Sequence, residues 1–331
     1  MNNDTVRQDY YALSPDLVLS AVEQYGFLTD ARIFPLNSYE NRVYQIGIED
    51  SAPIIAKFYR PERWSNEAIL EEHFFTEQLA EQELPVVTPK KIDGQSLLEY
   101  QGYRFAIYPQ QGGQSAEPGD LDQIHQLGRL IARIHAIGKT SSFEHRLTIN
   151  TQSYGKNAAN FILENKFVPN HLEQAYQDTT EKLITDIEKI FTDVNQLKWI
   201  RGHGDCHYSN ILWHREDGPW FVDFDDCATC PAIQDLWMLL AGSRQDQSLQ
   251  ISEILDGYNE FCDFNNAEIR LIEPLRTLRL LHYHAWLAKR WKDPTFPINF
   301  PWFNTESFWQ EHIADLKVQQ EAIHHDPLQC Y

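Results

Sequence analysis

The spacing of hydrophobic residues changes near residue 110, and this change does more than any other feature to limit the folds open to the chain. Before it, apolar positions come in runs of strand length: Phe27–Phe34, Arg42–Ile48, Pro53–Tyr59, Ser96–Tyr100 and Tyr103–Tyr108. Asn37–Asn41 reads as a turn between the first two strands. Two helices join these strands. Ser14-Pro15 supplies a capping hydroxyl and a first-turn proline, and Val18, Ala21, Val22 and Tyr25 follow at helical spacing up to Gly26. Ser65–Glu81 reads as a longer helix. Pro109–Ser115 then breaks the pattern and is the expected linker. Beyond it the period is helical. Ile124, Leu127, Ile131 and Ile134 form one stripe, ended by Gly138, and Leu183, Ile187, Ile190 and Val194 another. Asn266–Trp291 reads as helix interrupted at Pro274, and a last helix runs from about Glu306 towards His324. Two short strands, Leu197–Ile200 and Trp220–Phe224, lie among these helices. The expectation is an α+β chain in two lobes, sheet plus helix in residues 1–109 and mostly helix in residues 110–331.

Composition removes several classes of function. A chain with 42% apolar residues can fill cores of this size, and its longest apolar stretch, Leu236–Ala241, is too short to cross a bilayer. Asp4, Arg7 and Asp9 precede any apolar run, so a cytoplasmic protein without a secretory leader is expected. A formal net charge of −20 disfavours nucleic acid and anionic membranes as partners. It also means that any bound phosphate must find local cations. The five cysteines are read as reduced thiols, and Cys227-Ala-Thr-Cys230, a single C-x-x-C, as structural in preference to metal-binding.

The chemistry concentrates in the loop His203-Gly204-Asp205-Cys206-His207-Tyr208-Ser209-Asn210, an H-G-D-x-x-x-x-N pattern, followed by Phe221-Val222-Asp223-Phe224-Asp225-Asp226. Phosphoryl transfer needs this set of residue types. One carboxylate must orient and deprotonate the attacking hydroxyl, a role for Asp205. Hard oxygen ligands must hold Mg²⁺ against the triphosphate of ATP, a role for Asn210 and Asp223. Strand alternation places Asp223 and Asp225 on one face. A solvent-facing acidic strand end is the competing reading of the second segment, and the neighbouring loop argues against it.

Upstream, Ile54-Ile55-Ala56-Lys57 has the form of a strand that delivers a phosphate-binding lysine. On the next helix Glu72 shares a face with Ala68, Phe75 and Leu79, where a carboxylate is costly unless paired. Lys57 is the expected partner, and Glu72 is preferred to Glu71.

H-G-D-x-x-x-x-N with an F-V-D-F-D strand resembles the aminoglycoside phosphotransferase and choline kinase superfamily, relatives of the protein kinases. The blocks Leu36–Tyr44, Lys57–Trp64, His203–His207, Gln234–Leu240 and Asn299–Trp302 resemble, more specifically, the bacterial stress response kinase A family. The likeness implies a bilobal protein-kinase-like fold and an ATP- and Mg²⁺-dependent Ser/Thr protein kinase of stress survival, with its own chain among the possible acceptors. It implies Asp205 as base, Asn210 and Asp223 as metal ligands and Ser38 as a residue over the phosphates. Asp235 would brace the catalytic loop through its backbone, and His203 would pack beneath it. The adenine is expected against the backbone near Ala106–Tyr108.

Two departures from the protein-kinase pattern stand out. The phosphate-covering loop lacks G-x-G-x-x-G, so Asn37 and Asn41 are expected to supply unusual backbone angles. No A-P-E element follows Asp223, and Asp225 stands where D-F-G has glycine. The motifs alone therefore leave open a small-molecule kinase of the aminoglycoside, choline or homoserine kinase type, and a non-catalytic ATP-binding regulator is a third reading. His135 is expected in the core. Trp286, Trp291 and Trp302 are read either as core or as the wall of an acceptor groove.

Overall fold

The computed structural model describes residues 10–330. Its strands are β1 Thr29–Leu36, β2 Arg42–Ile48, β3 Ser51–Phe58, β4 Leu98–Tyr100, β5 Tyr103–Pro109, β6 Gln114–Ser115, β7 Ile200–Gly202, β8 Ile211–His214, β9 Gly218–Phe221 and β10 Ala228–Cys230. The helices are α1 Pro15–Gln24, α2 Asn66–Glu81, α3 Leu121–Gly138, α4 Asn157–Glu164, α5 Asn170–Asp193, α6 Ile233–Trp237, α7 Arg244–Asn259, α8 Ile272–Arg290, α9 Thr295–Asn299 and α10 Glu306–Ala322. They divide into two compact units. The first takes the described residues up to Ala116 with Phe143–Arg146 and Tyr208–Asp226, and the second takes the rest.

In the first unit an antiparallel sheet runs β1-β2-β3-β5-β4. Gln101 and Gly102, at φ 47° and 82°, make the two-residue turn that pairs Tyr100 with Tyr103. One face of the sheet carries Ile46, Phe58 and Phe105 into a core closed by Val18, Ala21 and Val22 of α1. Phe58 and Phe105 stack at 4.9 Å. Ser14 caps α1 as its sequence requires, its hydroxyl accepting from the Leu17 N–H, and Ser65 caps α2 through the Ala68 N–H. A smaller sheet, β6-β8-β9, completes this unit, with Gln114 and Ser115 opposite Trp213 and Leu212. The stretch between Asn210 and Phe221 is thus a hairpin, where only a turn region was expected.

In the second unit β7 and β10 form a two-stranded ladder among helices. The buried stripe of α3, with Ile124, Leu127, Ile131 and Ile134 at most 1% exposed, packs against α7. Reciprocal glycines allow the two backbones to meet. A Cβ on Gly128 would lie 2.2 Å from the Ile254 carbonyl oxygen, and one on Gly257 2.2 Å from that of His125. Pro274 does not interrupt a helix. A 3₁₀ turn over Asn266–Leu271 precedes α8, and the proline sits in the first turn of α8, where no intrahelical donor is required of it. No helix among the described residues is long and apolar enough to cross a membrane.

Candidate active site

Lys57 lies near the C-terminal end of β3, opposite Val43 of β2 and Ala106 of β5, and is 6% exposed. Helix α2 turns Ala68, Glu72, Phe75 and Leu79 to the same buried face. Lys57 Nζ stands 3.6 Å from Glu72 Oε1, 3.3 Å from Asp223 Oδ1 and 2.9 Å from Asp225 Oδ1. Burial alone would favour the neutral amine, but these three carboxylates hold Lys57 protonated, well above the usual lysine range. Burial dominates at Glu72 and lifts its carboxyl to about 7, against the pull of a lysine that two other carboxylates share. The neighbouring Glu71 has a different task, accepting the backbone N–H groups of Glu144, His145 and Arg146 at 2.7, 2.9 and 3.1 Å.

Asp223 and Asp225 reach Lys57 by a route other than strand alternation. β9 ends at Phe221, and Phe224–Asp226 form a 3₁₀ turn. Asp223 takes φ 58°, a left-handed conformation costly for a non-glycine residue, and its side chain remains 57% exposed. Asp225 is buried. Arg63 pairs with its carboxylate, Asn41 Nδ2 donates to it at 3.1 Å, and Arg146 donates to its carbonyl. Burial would raise the Asp225 carboxyl, yet Arg63, Lys57 and Arg146 together hold it well below the carboxylate range. The expected common face for the two aspartates is therefore incorrect: one is exposed, the other an internal counterion.

The loop before β2 also differs from expectation. Neither Asn37 nor Asn41 adopts a positive φ. Asn41 acts through its side chain, accepting from the Arg60 N–H at 3.1 Å while donating to Asp225. Ser38 is exposed, and its hydroxyl accepts from the Asn41 N–H at 3.2 Å. Asn210 ends a 3₁₀ turn at the foot of β8, and its carbonyl accepts from the Val222 N–H at 3.0 Å. The Ile211–Phe221 register thus sets Asn210 beside the residue preceding Asp223.

Asp205 belongs to the second unit. Arg279 of α8 pairs with its carboxylate, and His207 Nε2 lies 3.3 Å from Oδ2. Burial would raise this carboxyl, but the His207 hydrogen bond and the Arg279 charge outweigh it and hold it well below the usual range. Behind the loop, Asp235 accepts the N–H groups of His203 and Gly204 at 2.7 and 2.8 Å and bonds His135 Nε2 at 3.0 Å. Gln234 Nε2 donates to the Gly204 carbonyl at 2.9 Å. His135 is 0% exposed and bonds the Tyr258 hydroxyl through Nδ1, so it is a core residue that also orients Asp235. Trp286 packs on Phe296 and Tyr283, Trp291 on Phe303, and Trp302 remains 42% exposed. Cys227 and Cys230 are buried and form no disulfide.

Among the described residues no three His, Cys, Asp or Glu side chains form a metal cage. Mg²⁺ does not require one, since it keeps most of its waters. The exposed Asp223 carboxylate and a side-chain amide oxygen such as that of Asn210 are hard donors of the type it takes. Arg63, Arg146, Arg279 and the side-chain role of Asn41 were not foreseen. Arg63 lies in a block quoted only for resemblance, and nothing in the spacing of Arg270, Arg276 and Arg279 tells which of them meets a carboxylate 74 residues away.

The phosphotransferase enzyme family matches residues 32–272. Stress response kinase A of Escherichia coli (strain K12) is 43% identical over 329 residues, covering 99% of this chain and 98% of that one. The serine/threonine protein kinase RdoA of Salmonella typhimurium is 42% identical, covering 97% and 96%. Among solved structures, a microcompartment-associated aminopropanol kinase superposes with a TM-score of 0.69 at 17% identity, covering 96% of this chain and 99% of that one. The fold is thus α+β and kinase-like, and the chain belongs to the phosphotransferase enzyme family as a relative, over nearly all its length, of the bacterial stress response kinases.

Proposed function

We propose that the chain is an ATP- and Mg²⁺-dependent Ser/Thr protein kinase of stress response. The first unit would bind the nucleotide and the second would carry the base and the acceptor site. The observation that carries this reading is the Lys57 centre: one buried lysine held by Glu72 and by Asp223, with Asn210 beside Val222. Lys57 would meet the phosphates, steered by Glu72, and Ser38 would lie over them. Asn210 and Asp223 would hold Mg²⁺, which when bound neutralises charge on the transferring phosphoryl group. Asp205 would orient the acceptor hydroxyl and take its proton as the oxygen bonds the γ-phosphorus and the bond to the ADP oxygen breaks. The N–H bonds to Asp235 keep its loop in place. Support for a protein acceptor comes from the names of the relatives.

The test is transfer from γ-labelled ATP to protein substrates and to a pool of small metabolites. Label on serine or threonine, including that of the chain itself, is expected. Label confined to small molecules refutes the protein-kinase reading. Asp205→Ala should lower the rate by at least about 10²–10⁴-fold, the range of a general base, while nucleotide binding persists.

A further inference from the structure

If Asp205 is the base, as proposed above, the structure presents it in a poor state for that task. Arg279 pairs with its carboxylate, whose side chain is only 21% exposed. His207, whose Nε2 lies 3.3 Å from the same carboxylate, and Arg279 together hold it on the acidic side, where it has little affinity for the proton it must take. Drawing Arg279 away leaves Asp205 its His207 contact but costs the guanidinium its ion pair unless another anion receives it.

Arg279 also lines a cavity of about 450 Å³ within the second unit. Arg276, Arg279, Leu280 and Tyr283 face it at successive turns of α8, and Trp237 forms part of its wall. Across from them α10 contributes Asp315, Val318 and Gln319, with Asp315 exposed and Gln319 fixed by the Thr277 hydroxyl at 3.0 Å. An amine acceptor would want the face of the tryptophan, but the Arg276 guanidinium already lies 5.4 Å from the Trp237 ring centroid, steadied by Glu273 at 3.1 Å. The lining carries two guanidiniums and one carboxylate, and each guanidinium is held by a carboxylate behind the wall, Arg276 by Glu273 and Arg279 by Asp205, so that both are poised to exchange that partner for an incoming anion.

We propose that Arg276 and Arg279 read a negatively charged side chain beside the accepting hydroxyl of an acidic peptide segment, and that this charge draws Arg279 off Asp205. The acceptor itself thereby releases the base. Arg279 is then both a specificity residue and a positioning residue for Asp205.

The experiment compares serine peptides that differ only in flanking aspartate, glutamine or lysine, with glycerate as a free hydroxy acid and water as further acceptors. The wild type should favour the aspartate peptide over the glutamine one by about tenfold in kcat/KM, equivalent to ~1.4 kcal/mol. Arg279→Gln should level the three peptides and move the acid limb of the pH–rate profile to higher pH. A purely structural role would depress all peptides alike and leave that limb in place. Arg279→Lys should restore part of the preference. Arg276→Gln should lose it through KM with the limb unmoved. Equal use of the three peptides by the wild type, or an intact preference in Arg279→Gln, overturns the proposal, and transfer confined to glycerate overturns the peptide assignment. Asp205→Asn separates the two readings: transfer surviving in that variant refutes the base itself, whereas its loss together with missing charge preference refutes only the role of the arginines.

Discussion

Replacing Glu72 by Gln tests the link between burial and the lysine centre. Glu72 is 3% exposed, its Oε2 has no hydrogen-bond partner, and its nearest cation is shared with Asp223 and Asp225. Its carboxyl therefore titrates at about 7 in the folded chain against 4.5 as the reference. A carboxyl raised on folding binds a proton that the unfolded chain has already lost. Stability is complete below 4.5 and falls as pH rises to about 7. At about 1.4 kcal/mol per pH unit, the loss across that window is about 3 kcal/mol. Glu72→Gln has no such proton. Relative to wild type its stability should improve by about 3 kcal/mol between pH 4.5 and pH 8, while kcat/KM for ATP falls above pH 7, where the ionised Glu72 anchors Lys57, and approaches the wild-type value below it, where Glu72 is itself neutral. Urea titrations followed by tryptophan fluorescence at a series of pH values measure the first effect, and initial rates measure the second. A stability difference that stays flat with pH refutes the burial argument. Kinetic losses in Lys57→Ala and Glu72→Gln that simply multiply in the double variant refute the pairing.

Asp223→Ala and Asn210→Ala should raise the Mg²⁺ concentration needed for half-maximal rate or abolish turnover, and unchanged Mg²⁺ titrations in both would dismiss them as ligands. His284 and His312 bond each other at 3.3 Å in a buried aromatic cluster, and burial lowers His284 to about 4 and His312 well below its usual value. Both must stay neutral, so stability is complete above 6.5 and is lost as pH falls towards 4, by about 1.4 kcal/mol per unit for His284. His284→Phe should remove its share of that acid limb in urea titrations and leave the part due to His312. Gly128→Ala, forcing a Cβ against the Ile254 carbonyl, should cost about 1–3 kcal/mol or more by the same measurement.

Strongly periodic elements were legible before the structure. The α3 stripe, the β2 run and the Glu72 face of α2 are each dictated by burial, which leaves a regular imprint on sequence. Boundaries shifted where a turn competes with a strand. Phe221–Asp226 alternates like a strand, but Asp225 must reach Lys57, Arg63 and Arg146, and only a turn with Asp223 at positive φ brings it there. Helices α4, α6, α7 and α9 went unseen because α4, α6 and α9 are short and α7 carries scattered polar residues even on its buried face, Ser248 and Gln250 among them. The titratable partners of the candidate site divide in the same way. Lys57 and Glu72 could be matched because a buried charge demands a partner one element away. Arg279 could not, since its partner is set by tertiary packing alone.

Consecutive residues of α2 are tied down in different directions. Side chains one residue apart point about 100° from each other around a helix. Glu71 grips three successive backbone amides at 144–146, while Glu72 faces Lys57. Neither bond survives a roll of the helix about its axis. An outward swing would release the three amides and leave a bare carboxylate in a dry interior. Kinases that use the equivalent helix as a throttle need it to be loose, and here it is bolted at two bearings. In the first unit α2 is thereby fixed against rotation from two sides of its axis, one by backbone amides and one by a buried lysine.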